Sequence, residues 1–369
     1  MIIILGVTGN VLSFFVFAFT HLQRQSSSIY LATLAIVDTV FLLSLLIVWL
    51  GWLKIPLFHS NGWCQTVVYL NHLCGFLSVW SVVGFTTDRY IIVYHPLRKD
   101  RFCTSRRAKY VVLVLIIIGL IMYSFTTWTS GIMKINNISV CMPFPHFYDI
   151  ITVMTSVDII VTLLVPSSII IVLNIRIVMK IHHFQETLTS PGTMSVLVPP
   201  RTVNSHRGTG MHASVSHNGS VIIQFGRPLQ LYPLTDPDED HSGAQQQSSA
   251  TIVMVRGRSQ LRLARMLLIV SSIFLLFNIP SHYFHIRAFL QHLVGGHYKG
   301  SKHILRWQEL FQLVYYLNFA INFFLYSLCG RPFRTELKRH YTKLQYNIHQ
   351  WRLRRSGSME LRAMHNLNG

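Results

Sequence analysis

Seven apolar runs divide the chain, covering Ile2 to about Thr20, Ile29–Leu53, Trp63–Val93, Tyr110–Trp128, Ile150–Met179, Met266–Leu290 and Leu305–Leu328. A helix rising 1.5 Å per residue needs about 20 apolar residues to cross a hydrocarbon layer of about 30 Å. Backbone polar groups in lipid must be bonded internally, and none of these runs keeps the strict alternation of a barrel strand, so each is predicted to be a helix. The predicted fold is all-α and integral to the membrane: a seven-transmembrane helix bundle over 1–328.

The polar segments between the runs differ in kind. Residues 183–259 are rich in Ser, Pro, Gly and Gln, with an acidic knot at Asp236, Asp238, Glu239 and Asp240. Such a segment has too little apolar surface to bury a core, so a disordered third cytoplasmic loop is expected there. After Arg331, Phe333, Leu337, Tyr341 and Leu344 recur at helical spacing among basic residues, which predicts a short amphipathic eighth helix over 331–346 on the cytoplasmic face, followed by a flexible tail over 347–369. Met1 precedes Asn10 by so little that the first helix barely spans, and Met1 is expected to be an internal methionine of a longer chain.

Composition agrees with a membrane solvent: 51% of the 369 residues are hydrophobic and 12% charged. Cations gather after the third run (Arg98, Lys99, Arg101, Arg106, Arg107, Lys109), after the fifth, and in the tail. The positive-inside rule makes that side cytoplasmic, with the N-terminus outside and the C-terminus inside, in the plasma membrane. The net charge of +19 sits beside membrane ends, where anionic lipid rather than nucleic acid is the natural partner.

Polar groups at bilayer depth are costly, so each is a functional candidate, with helix–helix packing as the plainer reading. Asn10, Asp38, Ser78, Asn318 and Asn322 form one such set. Asn318 and Asn322, four residues apart, share a helix face and can offer amides to Asp38. A sodium ion ringed by Asp38, Ser78, Asn318 and Asn322 would balance the acid; a hydrogen-bonded network without an ion is the alternative. Asp88-Arg89-Tyr90 closes the third run, where the arginine can pair with its neighbour or be released to another partner, a two-state element.

Taken with their depths, these motifs resemble the rhodopsin-like (class A) G-protein-coupled receptors. Gly9-Asn10, Leu34 to Asp38, Asp88-Arg89-Tyr90, Pro166, Phe274 to Pro280, Asn322 to Tyr326 and Phe333 carry the resemblance, each in the matching helix. It implies no enzymatic activity and no cofactor apart from the structural sodium. It also implies an extracellular ligand, a heterotrimeric G protein received by Arg89 when the sixth helix swings outward around Pro280, and arrestin and receptor-kinase partners. Asn278, Phe323 and Asn174 stand where the family commonly has Trp, Pro and Tyr, and the fourth run lacks the usual mid-membrane Trp. The stretches 278–282 and 320–330 are similar to invertebrate neuropeptide receptors of the FMRFamide and thyrotropin-releasing-hormone-like group.

The resemblance also implies a disulfide between Cys64 and Cys141, the two cysteines on the predicted outer side. Asn137-Ile138-Ser139 is a glycosylation sequon on that side, and Cys329 is a palmitoylation candidate. Asn71 stands eighteen residues before Arg89, where amine receptors hold an acid, and Tyr316 stands where opsins hold a lysine. Both argue for another ligand class. The pocket candidates are Asn71, His72, Asp158, His282, His285, Arg287, Gln308, Glu309 and Gln312, a mixed polar set suited to a short peptide. A lipid ligand is the alternative. A transporter, or a metal-dependent membrane hydrolase built on His282 and His285, fits less well, because neither internal repeats nor a completed metal cluster is evident.

Overall fold

The computed structural model describes residues 1–53, 55–135, 138–189, 214–215, 221–222, 268–283, 286–287, 302–343, 345–346 and 350. Helix α1 is Ile2–Phe19, α2 Ser26–Leu50, α3 Trp63–Tyr94 and α4 Ser105–Met122. Helix α5 comprises Tyr148–Asp158, a π-helical turn Ile159–Leu164 and Val165–Thr189. Helix α6 is Leu268–Tyr283, α7 Lys302–Cys329, and α8 covers 331–343. Six helices among the described residues are long and apolar enough to cross a membrane, and α6 is a shorter apolar one.

Large apolar side chains lie on the outside as well as the inside. On α4, Leu113, Ile117 and Ile121 are exposed, and on α5 so are Val172, Ile175 and Met179. Contiguous apolar surface of this kind is what lipid-facing helices present and what a water-soluble chain avoids. Packing inside the bundle is close. A Cβ on Gly9 would stand 2.8 Å from the Phe323 Cβ, and one on Gly6 2.8 Å from the Ala320 Cβ, so only glycine lets α1 approach α7. Across the bundle, Phe41 of α2 stacks on Phe319 of α7 with centroids 3.7 Å apart.

Helix boundaries depart from the apolar runs where polar groups find partners. Helix α2 begins at Ser26, ahead of Ile29, because Ser26 and Ser27 are bonded inside the bundle. Helix α4 begins at Ser105 behind Thr104, whose hydroxyl accepts from the Arg107 N–H at 3.4 Å. Helix α5 runs to Thr189, past the expected boundary at His183; Pro191, which disfavours helix in the residue before it, lies just beyond. Within the segment expected to be disordered, Ser214–Val215 also pairs with Val221–Ile222; the rest of it lies outside the described residues.

At one end of the bundle a hairpin joins α4 to α5. Strand β1, Ser130–Ile135, pairs antiparallel with β2, Ile138–Pro143, and places Ile132 opposite Cys141. Cys141 is disulfide-bonded to Cys64 in the first turn of α3, which fixes the hairpin at that end. Helix α3 starts from Gly62 at φ 87°, a left-handed conformation open to glycine, and the Gln65 side chain accepts from the Gly62 N–H at 2.9 Å.

At the opposite end, α8 follows Gly330 and turns its first apolar residue inward. Phe333 is buried against Phe17 and Tyr326, with centroids 5.4 and 5.8 Å away, a burial worth about 1.5–3 kcal/mol. Leu337 packs partly on the same cluster, whereas Tyr341 is exposed. Arg334 donates to the Ser327 and Leu328 carbonyls at 3.0 and 2.5 Å, satisfying acceptors that the end of α7 would otherwise leave open.

Candidate functional site

Asp88 and Arg89 are both buried at the α8 end of α3. The Arg89 Nη2 stands 3.9 Å from Asp88 Oδ2, an ion pair without a direct hydrogen bond. The carboxylate is instead bonded by α2. The Ser26 hydroxyl lies 2.7 and 2.9 Å from its two oxygens, sharing one proton between them, and the Ser27 hydroxyl donates to Oδ2. Arg89 donates to the same Ser27 oxygen, while its Nε has no partner among the described residues. At 3.9 Å and an effective dielectric near 20, the Coulomb attraction is about 4 kcal/mol. That is comparable to the cost of desolvating the ions, so the two serines decide how firmly the acid is held.

The neighbouring residues tie this corner to α5 and to the short helix Lys99–Phe102. Tyr90 stacks on Tyr94, and the Tyr94 hydroxyl donates to the Arg176 carbonyl at 2.8 Å. The Cys103 thiol lies 3.7 Å from the Asp88 carbonyl; burial and then the Asp88 charge push it up to about 12. Beside it, Leu97 is 98% exposed on the connection from α3 to α4.

Midway along the bundle, Asp38 is fully buried. Ser78 donates to Oδ1 at 3.1 Å and Asn322 to Oδ2 at 2.6 Å, which joins α2, α3 and α7 through one carboxylate. Asn318, expected to share that acid, does not bond it; its Nδ2 has no partner among the described residues. Asn10 donates to the Phe319 carbonyl at 2.8 Å, and its Oδ1, Ser13 Oγ and the Tyr326 hydroxyl are likewise buried without partners.

In α6, Phe274 is buried, and Asn278 turns its amide back onto the Phe274 carbonyl at 2.7 Å. Pro280 lies inside the helix, where it has no N–H for the preceding turn, the ordinary cause of a bend. Helix α7 is continuous through Phe323, which retains the N–H a proline would lack.

Toward the disulfide end, Asn71 accepts from the Ser44 hydroxyl of α2, and Asp158 accepts from the Tyr123 hydroxyl at the end of α4. The His72 ring lies 5.6 Å from the Tyr123 ring, and the imidazole itself is exposed. His282 meets the Asn278 carbonyl through Nδ1 at 2.9 Å and stands 6.0 Å from the Tyr315 ring. Gln312 accepts from Ser281 at 3.2 Å; Arg287 and Gln308 are half-buried and Glu309 is exposed. His285, Asn137 and the Cys329 side chain lie outside the described residues.

Tyr123, Tyr315, Ser44, Ser26 and Ser27 belong to these clusters and were not singled out from the sequence. The serines carried a faint signal, three hydroxyls in a row at a span entrance; the tyrosines carried none beyond their type.

With an acid joining α2, α3 and α7, an Asp-Arg pair ending α3, and a disulfide from α3 to the following hairpin, the chain matches the 7 transmembrane receptor (rhodopsin family) over residues 9–326. The chain belongs to this family. It is a multi-pass, seven-helix receptor rather than an enzyme. Among similar proteins, the thyrotropin-releasing hormone receptor of Gallus gallus is 30% identical over 115 residues, covering 30% of this chain and 28% of the relative. An FMRFamide peptide receptor of Caenorhabditis elegans is 27% identical over 134 residues, covering 34% and 30%. The growth hormone secretagogue receptor type 1 of Sus scrofa is 26% identical over 113 residues, covering 30% and 31%. The matched stretch thus spans about three-tenths of the length of these relatives.

Proposed function

We propose that this receptor binds a short extracellular neuropeptide and activates a heterotrimeric G protein at the Arg89 end, in the plasma membrane with its N-terminus outside. The observation that carries this reading is the Asp88–Arg89 corner: an arginine 3.9 Å from its acid, with no partner for Nε among the described residues, can be released at modest cost when α6 moves outward about Pro280. Leu97, exposed beside that corner, is an apolar contact for the G protein, and arrestin and a receptor kinase act on the same face once the receptor is active.

At the other end, Asp158, which accepts from the Tyr123 hydroxyl, is the anchor for a cationic group of the peptide, with Asn71 and Gln312 as hydrogen-bonding partners. The peptide-receptor relatives support a peptide over an amine. Asn137 carries the glycan and Cys329 the palmitoyl chain.

Asp38 has two neutral donors and, among the described residues, no basic side chain paired to it. Its carboxylate oxygens and Ser78 Oγ are the hard donors a sodium ion takes, so the residues fit that ion. Bound there, sodium would neutralise the acid and join α2 to α3.

The test is a library of short amidated peptides, with lipids as a parallel arm, applied to cells bearing the epitope-tagged receptor, with surface display checked and G-protein dissociation as the readout. A dose-dependent peptide response that weakens at least tenfold in Asp158→Asn is expected. A response to lipids alone would overturn the peptide assignment.

A further inference from the structure

The interface of α5 with α6 holds a polar pair in otherwise apolar surroundings. Asn174 Nδ2 donates to Ser271 Oγ at 2.9 Å, and Ser271 Oγ lies 3.1 Å from Asn174 Oδ1. Ser271 is completely buried, and Ile170 and Ile177, one turn to either side of Asn174, are buried too, as are Val270 and Phe274 on α6. We propose that Asn174 and Ser271 form a latch that holds α6 against α5 in the resting receptor, and that they are positioning residues for the switch. This rests on the reading of α6 as the moving element.

Three features make the pair a latch and not merely packing. First, its α5 side is anchored. Tyr94 bonds the Arg176 carbonyl only two residues on, and Trp80 donates to the Val161 carbonyl in the π-helical turn at 3.1 Å. Helix α6 is therefore tied to a helix that is itself tied to α3.

Second, the pair lies far from the pivot. Ser271 precedes Pro280 by nine residues, about 14 Å along the helix, so a small rotation about the proline separates the two side chains by more than a hydrogen bond tolerates. Third, Ser271 has somewhere else to go. Its single hydroxyl proton also finds the Leu268 carbonyl at 3.1 Å, within its own helix. On opening, the serine falls back on that acceptor and only Asn174 is left to be rehydrated. A side chain with one partner across the interface and another within its helix has two discrete arrangements, as a bistable contact requires.

Interhelical side-chain hydrogen bonds in membranes are worth little on average, so loss of the latch should raise ligand-free activity about threefold and not above roughly twentyfold. The experiment compares wild type, Asn174→Leu, Ser271→Ala and the double variant, each purified whole in nanodiscs. Ligand-free nucleotide exchange is measured on a panel of G proteins. Pulsed electron paramagnetic resonance between labels at Val178 and Ile269 is measured on the same four proteins, with the free cysteines replaced.

The expected result is a rise in exchange for each single variant, no further rise in the double, and a new long-distance population in the label pair. Wild-type exchange together with unchanged distances in all variants would overturn the latch while leaving the coupling reading intact. Longer distances with no exchange on any G protein would support the latch and instead count against coupling. A lowered melting temperature with no new long-distance population would reduce the pair to packing and overturn the proposal.

Discussion

Asp88 takes its hydrogen bonds from serines on α2, so the state of Arg89 depends on residues 61 and 62 positions before Asp88. Ser27→Ala removes one donor to the carboxylate and one acceptor from the guanidinium. A buried charge left short of a partner costs about 1–3 kcal/mol, so a lower melting temperature and raised ligand-free G-protein activation are expected; an unchanged melting temperature would show the serine to be dispensable. Cys103 gives a second test at this scale. A folded thiol pushed up from 9.0 to about 12 stays protonated at pH 8, where alkylation should be roughly a thousandfold slower than in the unfolded chain. In stability terms its contribution is complete below the unfolded value and is lost as pH rises from about 9 toward 12. Iodoacetamide mapping by mass spectrometry reads this directly. Asp38, Ser78, Asn322 and the Asp88–Arg89 pair were legible from residue type and depth, because a polar group in lipid announces itself. Ser26 and Ser27 were not, because serine at a helix entrance looks like any cap until its partner is in place.

At the scale of the elements, hydropathy located the helices but not their ends or their irregularities. The π-helical turn of α5 and the β1–β2 hairpin leave no mark on an apolar profile: the first changes hydrogen-bond register within an apolar run, and the second lies in the connection between two runs. Phe323 did carry a signal, since a turn without proline keeps its backbone N–H and α7 runs unbroken through it. Phe323→Pro is expected to strip the N–H from that turn of α7, kink the helix and cost about 3 kcal/mol or more, seen as loss of thermal stability. Gly9→Ala tests the same contact from α1. Its Cβ meets Phe323 at 2.8 Å, and an overpacked interface of this kind costs about 1–3 kcal/mol. If Gly9→Ala left the melting temperature unaltered, the close approach of α1 to α7 would be wrong.

For the molecule as a whole, apolar faces turned outward, polar groups paired across α2, α3 and α7, and a disulfide over one end describe a bundle built for lipid, with the Asp88–Arg89 pair toward the opposite end. Cys64→Ser releases the hairpin from α3 and is expected to cost about 2–4 kcal/mol, with a larger loss of peptide response than of ligand-free activity, because the hairpin lies at the end proposed to take the peptide. G-protein coupling through Arg89 is tested most directly by nucleotide exchange on a panel of purified heterotrimeric G proteins, driven by the reconstituted receptor with its activating peptide, in wild type and Arg89→Ala. Coupling through Arg89 predicts peptide-dependent exchange on at least one G protein that is abolished in Arg89→Ala while peptide binding persists. Undiminished exchange by Arg89→Ala, or no exchange by a wild-type receptor that binds peptide, would contradict it.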